Sequence, residues 1–248
     1  MEIFEERYTV PQEGLCTGDL FRLMQKVSGD HCRKIGYGET WMEARGIMWV
    51  IIRHGVQVLR WPQPGEALLA RTWPGATRHG MCPRFYRIEG AGGELLMEGC
   101  AIWSVVDRKT RKMVIPGEYG LEIEPLVTGL ESRRPGAPLR LAATEQAAYT
   151  VTEDVLDENG HMNNTRYYDL AEDCLGTRGR ALRTALVEYV AEARLGDTLR
   201  LGWSWQEGRC ALSGELEGTA FRMELSYFDG EAAKAPTTPC RTSSPVLY

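Results

Sequence analysis

The sequence contains two copies of one folding unit. The tripeptide YTV occurs at residues 8–10 and again at residues 149–151, a shift of 141 positions. The helical segment that follows each tripeptide ends in DHC at 30–32 and in EDC at 172–174, a shift of 142. Because these matches keep the same order and nearly the same shift, they indicate a duplicated unit. The chain must therefore fold into two related halves.

A third match shows that the second copy is the shorter one. Residues 65–73 (GEALLARTW) parallel residues 196–203 (GDTLRLGW), a shift of 131. In the first copy, Leu20, Leu23, Met24 and Val27 have the apolar spacing of a helix. Strands follow, predicted at roughly 48–60, 67–73, 84–89 and 95–106, with turns at 62–65 and 90–93. One helix followed by a run of strands predicts an α+β fold with an antiparallel sheet wrapped on the helix.

Proline and glycine divide the chain into four parts. The first unit spans residues 1–115, and a linker rich in these residues spans 116–140. The second unit spans 141–231 and carries the motif described below. Residues 232–248 are expected to form a flexible tail.

Composition excludes several classes of protein. The formal net charge is -5, which argues against nucleic-acid binding. Seven cysteines are scattered without a CxxC pair, which favours reduced thiols over disulfides or zinc ligands. The acidic N-terminus is unlike a signal peptide, and no apolar run approaches the ~18 residues of a membrane span. We therefore expect a cytoplasmic protein with no membrane span, no metal and no organic cofactor.

Residues 157–164 (DENGHMNN) place chemically useful side chains just before a predicted helix. Asp157, Asn159 and His161 supply a carboxylate, an amide and an imidazole at alternate positions. Backbone N–H groups near Asn163 and Asn164 are expected to stabilise an oxyanion, because the first turn of a helix leaves N–H groups unpaired. The motif suits attack on a polarised carbonyl. A simple turn followed by a helix cap is the structural alternative.

Several ordered motifs resemble the acyl-acyl-carrier-protein thioesterases. They are TGD at 17–19, Gln25, WVII at 49–52, RWP at 60–62, RTWP at 71–74, WSVVDRKTR at 103–111, DxNxHxNNxxY at 157–167 and EYxxE at 188–192. The resemblance covers residues 4–228. It implies two tandem hot-dog domains, each a long helix wrapped by a curved antiparallel β-sheet. It also implies hydrolysis of fatty acyl thioesters on acyl-carrier protein during fatty acid biosynthesis.

The resemblance places the catalytic set on Asp157, Asn159, His161 and Glu192. Plant members of the family have a cysteine directly after the glutamate, where this chain has Ala193. A nucleophilic thiol at that position is therefore impossible, and water is the expected nucleophile.

The division of roles stays open at the level of sequence. Glu192 lies among apolar neighbours in a strand-like stretch, residues 187–194, where desolvation is expected to raise its pKa and make it a general base. Asp157 is an alternative base. His161 is expected to polarise the carbonyl or orient the water, with Asp157 or Asn159 fixing its ring orientation.

Only the second copy carries the catalytic set. With a shift of 142, His161 falls opposite Asp19, and with a shift of 131, Glu192 falls opposite Trp61. We therefore predict one site per chain, formed by the second half. The first half is expected to supply the acyl slot, with candidate lining residues Leu20, Leu23, Met24, Trp49 and Ile51.

A basic cluster in the first half is a candidate docking site for the carrier protein that the resemblance implies, which is acidic. Its members are Arg108, Lys109, Arg111 and Lys112. Such contacts would speed encounter and weaken with salt. A solvated hairpin turn is the simpler interpretation.

Three other functions compete with this one. An acyl-coenzyme A thioesterase would act on the same phosphopantetheine thioester. A hot-dog enoyl-thioester hydratase would have DxNxxH, whereas here only Gly160 separates Asn159 from His161. A non-catalytic acyl-thioester sensor would lack the acid and base residues. Both a monomer and a homodimer are expected states, because the tandem repeat reproduces the pairing of single hot-dog proteins.

Overall fold

The computed structural model describes residues 2–229 and has an α+β fold built on one ten-stranded antiparallel sheet. The predicted tail at 232–248 lies outside the described residues. No helix in the described range is long and apolar enough to cross a membrane.

Each half contains one main helix and five strands. The first half contains β1 (Phe4–Thr9), α1 (Thr17–Lys34), α2 (Glu39–Glu43), β2 (Ile47–Val58), β3 (Ala67–Pro74), β4 (Cys82–Gly90) and β5 (Leu95–Asp107). The second contains β6 (Glu145–Thr150), α3 (Arg166–Leu175), β7 (Leu182–Tyr189), β8 (Thr198–Gln206), β9 (Arg209–Glu215) and β10 (Thr219–Tyr227). Short 3₁₀ helices occur at Pro116–Tyr119 and Glu153–Val155. The predicted strands of the first half agree with the observed ones within about two residues.

The strand order confirms the duplication. The sheet runs β1-β3-β4-β5-β2 in the first half and continues β7-β10-β9-β8-β6 in the second, so each half has the same internal order. Strands β2 and β7 pair at the seam between the halves. There Glu188 bonds Arg53 at 2.5 Å and Arg222 at 2.9 Å.

Helices α1 and α3 lie against the sheet and touch each other. Helix α1 begins after Cys16, whose backbone N–H donates to the Asp19 carboxylate at 2.9 Å. It buries Leu20, Leu23 and Met24 in the main core. The rings of Phe21 on α1 and Tyr168 on α3 stack with centroids 3.5 Å apart. The two helices therefore share one core across the seam, which brings groups from both halves close together.

Candidate active site

The segment before α3 folds into a tight turn held by Asp157. One oxygen of this carboxylate accepts the backbone N–H groups of Asn159 at 2.9 Å and His161 at 3.1 Å. The Asp157 N–H donates to the His161 carbonyl at 2.7 Å. Gly160 has a φ of 75°, which glycine adopts without strain. Asp157 therefore orders the backbone of the turn, and neither it nor Asn159 forms a hydrogen bond with the His161 ring.

The His161 ring faces Glu192 and Arg111. Its Nε2 lies 3.1 Å from the Glu192 carboxylate and 3.3 Å from the Arg111 guanidinium. Burial lowers the pKa of His161, and the Glu192 carboxylate opposes that shift. A ring protonated at Nε2 donates to Glu192, whereas a ring protonated at Nδ1 accepts from Arg111. The acidic group that contacts the imidazole is therefore Glu192, and neither Asp157 nor the amide of Asn159 takes that place.

Glu192 does not have the apolar surroundings expected from the sequence. Strand β7 ends at Tyr189, so Glu192 follows the strand in an irregular segment. Its side chain is 33% exposed and lies 3.1 Å from Arg111 and 3.7 Å from Arg194. The expectation of a desolvated carboxylate on a strand was wrong, because two guanidinium groups and solvent surround it.

Arg111 belongs to the charged cluster, although the sequence analysis assigned it to docking of the carrier protein. It follows β5 in a tight turn, has a φ of 57°, and also lies 3.0 Å from the Met48 sulfur. Its contacts with Glu192 and His161 place it in the charged cluster, and its docking role stays a prediction. Arg108 contacts Glu43 at 3.3 Å on the same turn. Lys109 and Lys112 are exposed and stay as docking predictions.

Most of the predicted oxyanion donors are already paired. The Asn163 N–H donates to the Val155 carbonyl at 2.9 Å, and the Arg166 N–H to the Asn163 carbonyl at 2.9 Å. The Asn163 side-chain oxygen accepts the N–H of Thr165 at 2.9 Å. Asn163 therefore forms an Asx turn just before α3, and its N–H is not free to serve as an oxyanion donor. Within the described residues, Asn164 has the one N–H in this run that lacks a hydrogen-bond partner.

A cavity of about 220 Å³ adjoins the turn. Asp157, Asn159 and Asn164 line it, whereas His161 and Glu192 are not among its lining residues. Met48 lines the cavity and contacts Arg111, which links the cavity to the charged cluster. A substrate in the cavity would therefore lie between the turn and the first half.

The first half lines this cavity with a polar helix face. The residues that α1 contributes are Gln25, Ser28, Gly29, Cys32 and Arg33. Trp49 lines this cavity, and Ile51 lines a smaller neighbouring cavity, so their role in an acyl slot stays a prediction. Leu20, Leu23 and Met24 are core residues on another face of α1, so the structure does not place them in the slot. Residues 25, 28, 29 and 32 have the spacing of one helix face, so the sequence already indicated a second face on α1.

Two family models match this chain. The acyl-ACP thioesterase N-terminal domain matches residues 12–119, and the acyl-ACP thioesterase C-terminal domain matches residues 140–234. The chain belongs to the acyl-ACP thioesterase family. The resemblance drawn from the motifs is thereby confirmed.

Curated relatives agree with this assignment. The chain is 26% identical over 162 residues to a chloroplastic acyl-[acyl-carrier-protein] hydrolase of Cuphea viscosissima, covering 60% of this chain and 39% of the relative. It is 28% identical over 163 residues to a chloroplastic palmitoyl-acyl carrier protein thioesterase of Gossypium hirsutum, covering 60% and 40%. The matched regions span about two fifths of the length of these relatives.

Solved structures of the family share the fold. An acyl-ACP thioesterase from Bacteroides thetaiotaomicron superposes with a TM-score of 0.74 at 18% identity, covering 91% of this chain and 98% of that one. The 12:0-ACP thioesterase from Umbellularia californica gives 0.75 at 20% identity, covering 91% and 97%. The predicted tandem hot-dog architecture is confirmed.

Proposed function

We propose that this chain hydrolyses fatty acyl thioesters carried by acyl-carrier protein and releases the free fatty acid. The observation that carries the proposal is the contact of 3.1 Å between His161 Nε2 and the Glu192 carboxylate. Arg111 bonds the same carboxylate, and a cavity large enough for part of an acyl chain adjoins the cluster. The names of the curated relatives support the same substrate class.

In the proposed mechanism, water is the nucleophile. Glu192 accepts a proton from the attacking water, either directly or through His161, as the water oxygen bonds to the thioester carbon. The Asn164 N–H stabilises the resulting oxyanion; removing one such donor typically costs ~3 kcal/mol of barrier. When the carbon–sulfur bond breaks, the proton held by Glu192 passes to the leaving thiolate, either directly or through His161. The products are a free thiol and a carboxylic acid.

The local structure supports water over a thiol as the nucleophile. Ala193, at the position where plant members have cysteine, is buried in the core. Cys82 reaches the cavity, but burial raises the pKa of its thiol, so it is a poor nucleophile. Cys32 also lines the cavity and contacts the Arg84 guanidinium at 3.4 Å.

We further propose a role in fatty acid biosynthesis in a reducing compartment such as the cytoplasm. The six described cysteines are free thiols, which supports a reducing environment. Lys109 and Lys112 are exposed near the site, which supports docking of an acidic carrier protein. A homodimer stays a prediction.

The test is release of free thiol from matched acyl-carrier-protein and acyl-coenzyme A thioesters of several chain lengths. We expect hydrolysis, with a higher kcat/KM for the carrier-protein substrates. A higher kcat/KM for coenzyme A would make the chain an acyl-coenzyme A thioesterase. Hydration of an enoyl thioester without thiol release, or binding without any reaction, would contradict the hydrolase and support the hydratase or the sensor.

A further inference from the structure

A second, smaller cavity lies at the seam between the two halves. Its volume is about 20 Å³, enough for one water-sized group. Both main helices and strands β2, β4, β5 and β7 contribute to its wall. It is lined by aromatic and polar side chains, unlike a slot for a hydrocarbon chain.

Three buried polar atoms on this wall lack hydrogen-bond partners among the described residues. They are His54 Nε2, Trp103 Nε1 and the Tyr168 hydroxyl. Leaving such atoms unpaired costs stability, so buried polar groups are normally satisfied. Three of them around one small cavity therefore indicate that the cavity receives a polar group.

The neighbouring hydroxyls are already engaged. Tyr189 lies near the Tyr168 hydroxyl but donates to the Asn164 carbonyl at 3.0 Å. The Tyr86 hydroxyl bonds the Ser28 hydroxyl at 2.7 Å. The same Tyr86 hydroxyl also lies close to Trp103. Neither approach meets the full geometry of a hydrogen bond. A group entering the cavity would therefore meet His54 Nε2 and would compete with Tyr189 for the Tyr168 hydroxyl and with Tyr86 for the Trp103 N–H.

The chemistry of the three atoms selects a neutral oxygen. Burial lowers the pKa of His54 to about 3, so its ring is uncharged. Trp103 is a donor only, whereas the Tyr168 hydroxyl and a neutral imidazole can each donate or accept. A hydroxyl or a keto oxygen satisfies this set, and a carboxylate has no cation to pair with among these groups.

The small cavity adjoins the large one at the motif. Gln25, Trp103 and Asn164 line both cavities. Asn164 also carries the N–H that the proposed mechanism assigns to the oxyanion. A substituent that enters the small cavity would therefore come from a carbon close to the thioester rather than from the far end of the chain.

We propose that His54, Trp103 and Tyr168 form a subsite for an oxygen substituent on the acyl chain near the thioester, as in 3-hydroxyacyl or 3-oxoacyl substrates. The inference rests on the proposed function, because it specifies the substrate class of the same site. Tyr168→Phe is the sharpest variant, since it removes one hydroxyl and keeps the ring that stacks on Phe21. Tyr227→Phe is the control, because the Tyr227 hydroxyl is also buried but bonds Thr177 at 2.9 Å.

The first experiment compares kcat/KM for decanoyl, 3-hydroxydecanoyl and 3-oxodecanoyl thioesters. Wild type is expected to prefer an oxygenated substrate by about tenfold or more, because an unpaired buried polar group penalises the substrate that lacks its partner. Tyr168→Phe should reduce that preference by about tenfold, and Tyr227→Phe should leave it unchanged. The preferred oxygenated substrate identifies the substituent. Equal preference in wild type and Tyr168→Phe, or no preference in wild type, would overturn the proposal.

The second experiment separates this proposal from hydrolysis itself. Calorimetry measures binding of 3-hydroxydecanoic, 3-oxodecanoic and decanoic acid to wild type, Tyr168→Phe and His54→Leu, each checked for folding by a thermal melt. Tighter binding of an oxygenated acid to wild type, reduced in either folded variant, supports the subsite even if no thioester is hydrolysed. Equal binding of all three acids to wild type would contradict it whatever the enzyme hydrolyses.

Discussion

The N-terminal regions of α1 and α3 are matched by the sequence repeat but hold different groups. The position matched to His161 is Asp19 in the first turn of α1, which pairs with Arg22 at 2.9 Å. Arg22 also reaches Asp169 on α3 at 3.2 Å. Acidic and basic groups here neutralise one another, and they tie the two helices together.

In the second half, the matched position lies before α3, at the end of a turn, and is an imidazole. Asp157 satisfies the backbone, so His161 is left to contact Glu192 and Arg111. The first half supplies Arg111 and much of the cavity wall. The comparison teaches that a duplicated frame can keep one position for packing and place an imidazole at the other, where Arg111 of the first half and Glu192 of the second half complete a charged cluster.

The largest expected effect separates the two glutamates of the EYxxE motif. Glu192→Gln removes the proposed base and should lower kcat by a factor of about 10² to 10⁴. Glu188→Gln breaks the seam ion pairs with Arg53 and Arg222 and should lower stability while leaving kcat nearly unchanged. Steady-state thiol release at a temperature where both variants are folded gives the two values. Equal losses of kcat in both variants would mean that Glu192 has no special role.

The contact between α1 and α3 should make the free energy of unfolding depend on pH. Burial raises the pKa of Glu172 to about 7, and the Thr17 hydroxyl bonds its carboxylate. The unfolded chain loses this proton near pH 4.5, so the free energy of unfolding should fall as pH rises from there to about 7.

The free energy of unfolding of Glu172→Gln, taken relative to that of wild type, should therefore rise by ~3 kcal/mol as the pH rises across that range. Urea unfolding measures the difference. Because the buried histidines His31 and His54 are common to both proteins, their opposite pH dependence cancels in the difference. A constant difference between the two proteins would show that Glu172 does not titrate in this window.

Arg111 tests whether the first half takes part in catalysis. Arg111→Met removes the guanidinium that bonds Glu192 and should lower kcat by about tenfold, because the carboxylate loses its fixed orientation. Arg108→Met is the matched control on the same turn, since its partner is Glu43. The two variants are compared by kcat and by the pH dependence of kcat/KM. If both lose the same kcat with unchanged pH profiles, Arg111 has only a structural role.

The smallest effect concerns carrier docking. Replacing both Lys109 and Lys112 with alanine should raise KM for an acyl-carrier-protein substrate by a few-fold at low salt, and the difference should shrink as salt is added. KM for an acyl-coenzyme A substrate serves as the control and should change less. An unchanged KM for the carrier-protein substrate at low salt would remove the docking role from this turn.

Much of the fold was predictable, because local patterns determine it. The duplicated order, the apolar spacing of α1 and the turn signals predicted the strands of the first half closely. The clearest error was extending β7 through residues 187–194: the strand ends at Tyr189, and the regular pairing gives way to two N–H groups, of Val190 and Ala191, that share the Ala220 carbonyl. Apolar composition alone did not reveal that end.

The site was predictable only in part, because distant residues complete it. The turn at 157–161 follows from its Asp, Asn and Gly residues. Arg111 is 50 residues from His161 and 81 from Glu192, so no local pattern could join them. The helix face that lines the cavity was likewise decided by how α1 docks on the sheet, since both its faces have helical spacing.

The most direct measurement compares thiol release by wild type, His161→Ala and Asp19→Asn on one acyl-carrier-protein thioester, with folding of each verified. These substitutions fall at positions that the sequence repeat matches with a shift of 142. The account predicts that His161→Ala loses activity by a factor of about 10² or more, while Asp19→Asn keeps nearly all of it. Full activity in His161→Ala, or an equal loss in Asp19→Asn, would contradict a single site formed by the second half.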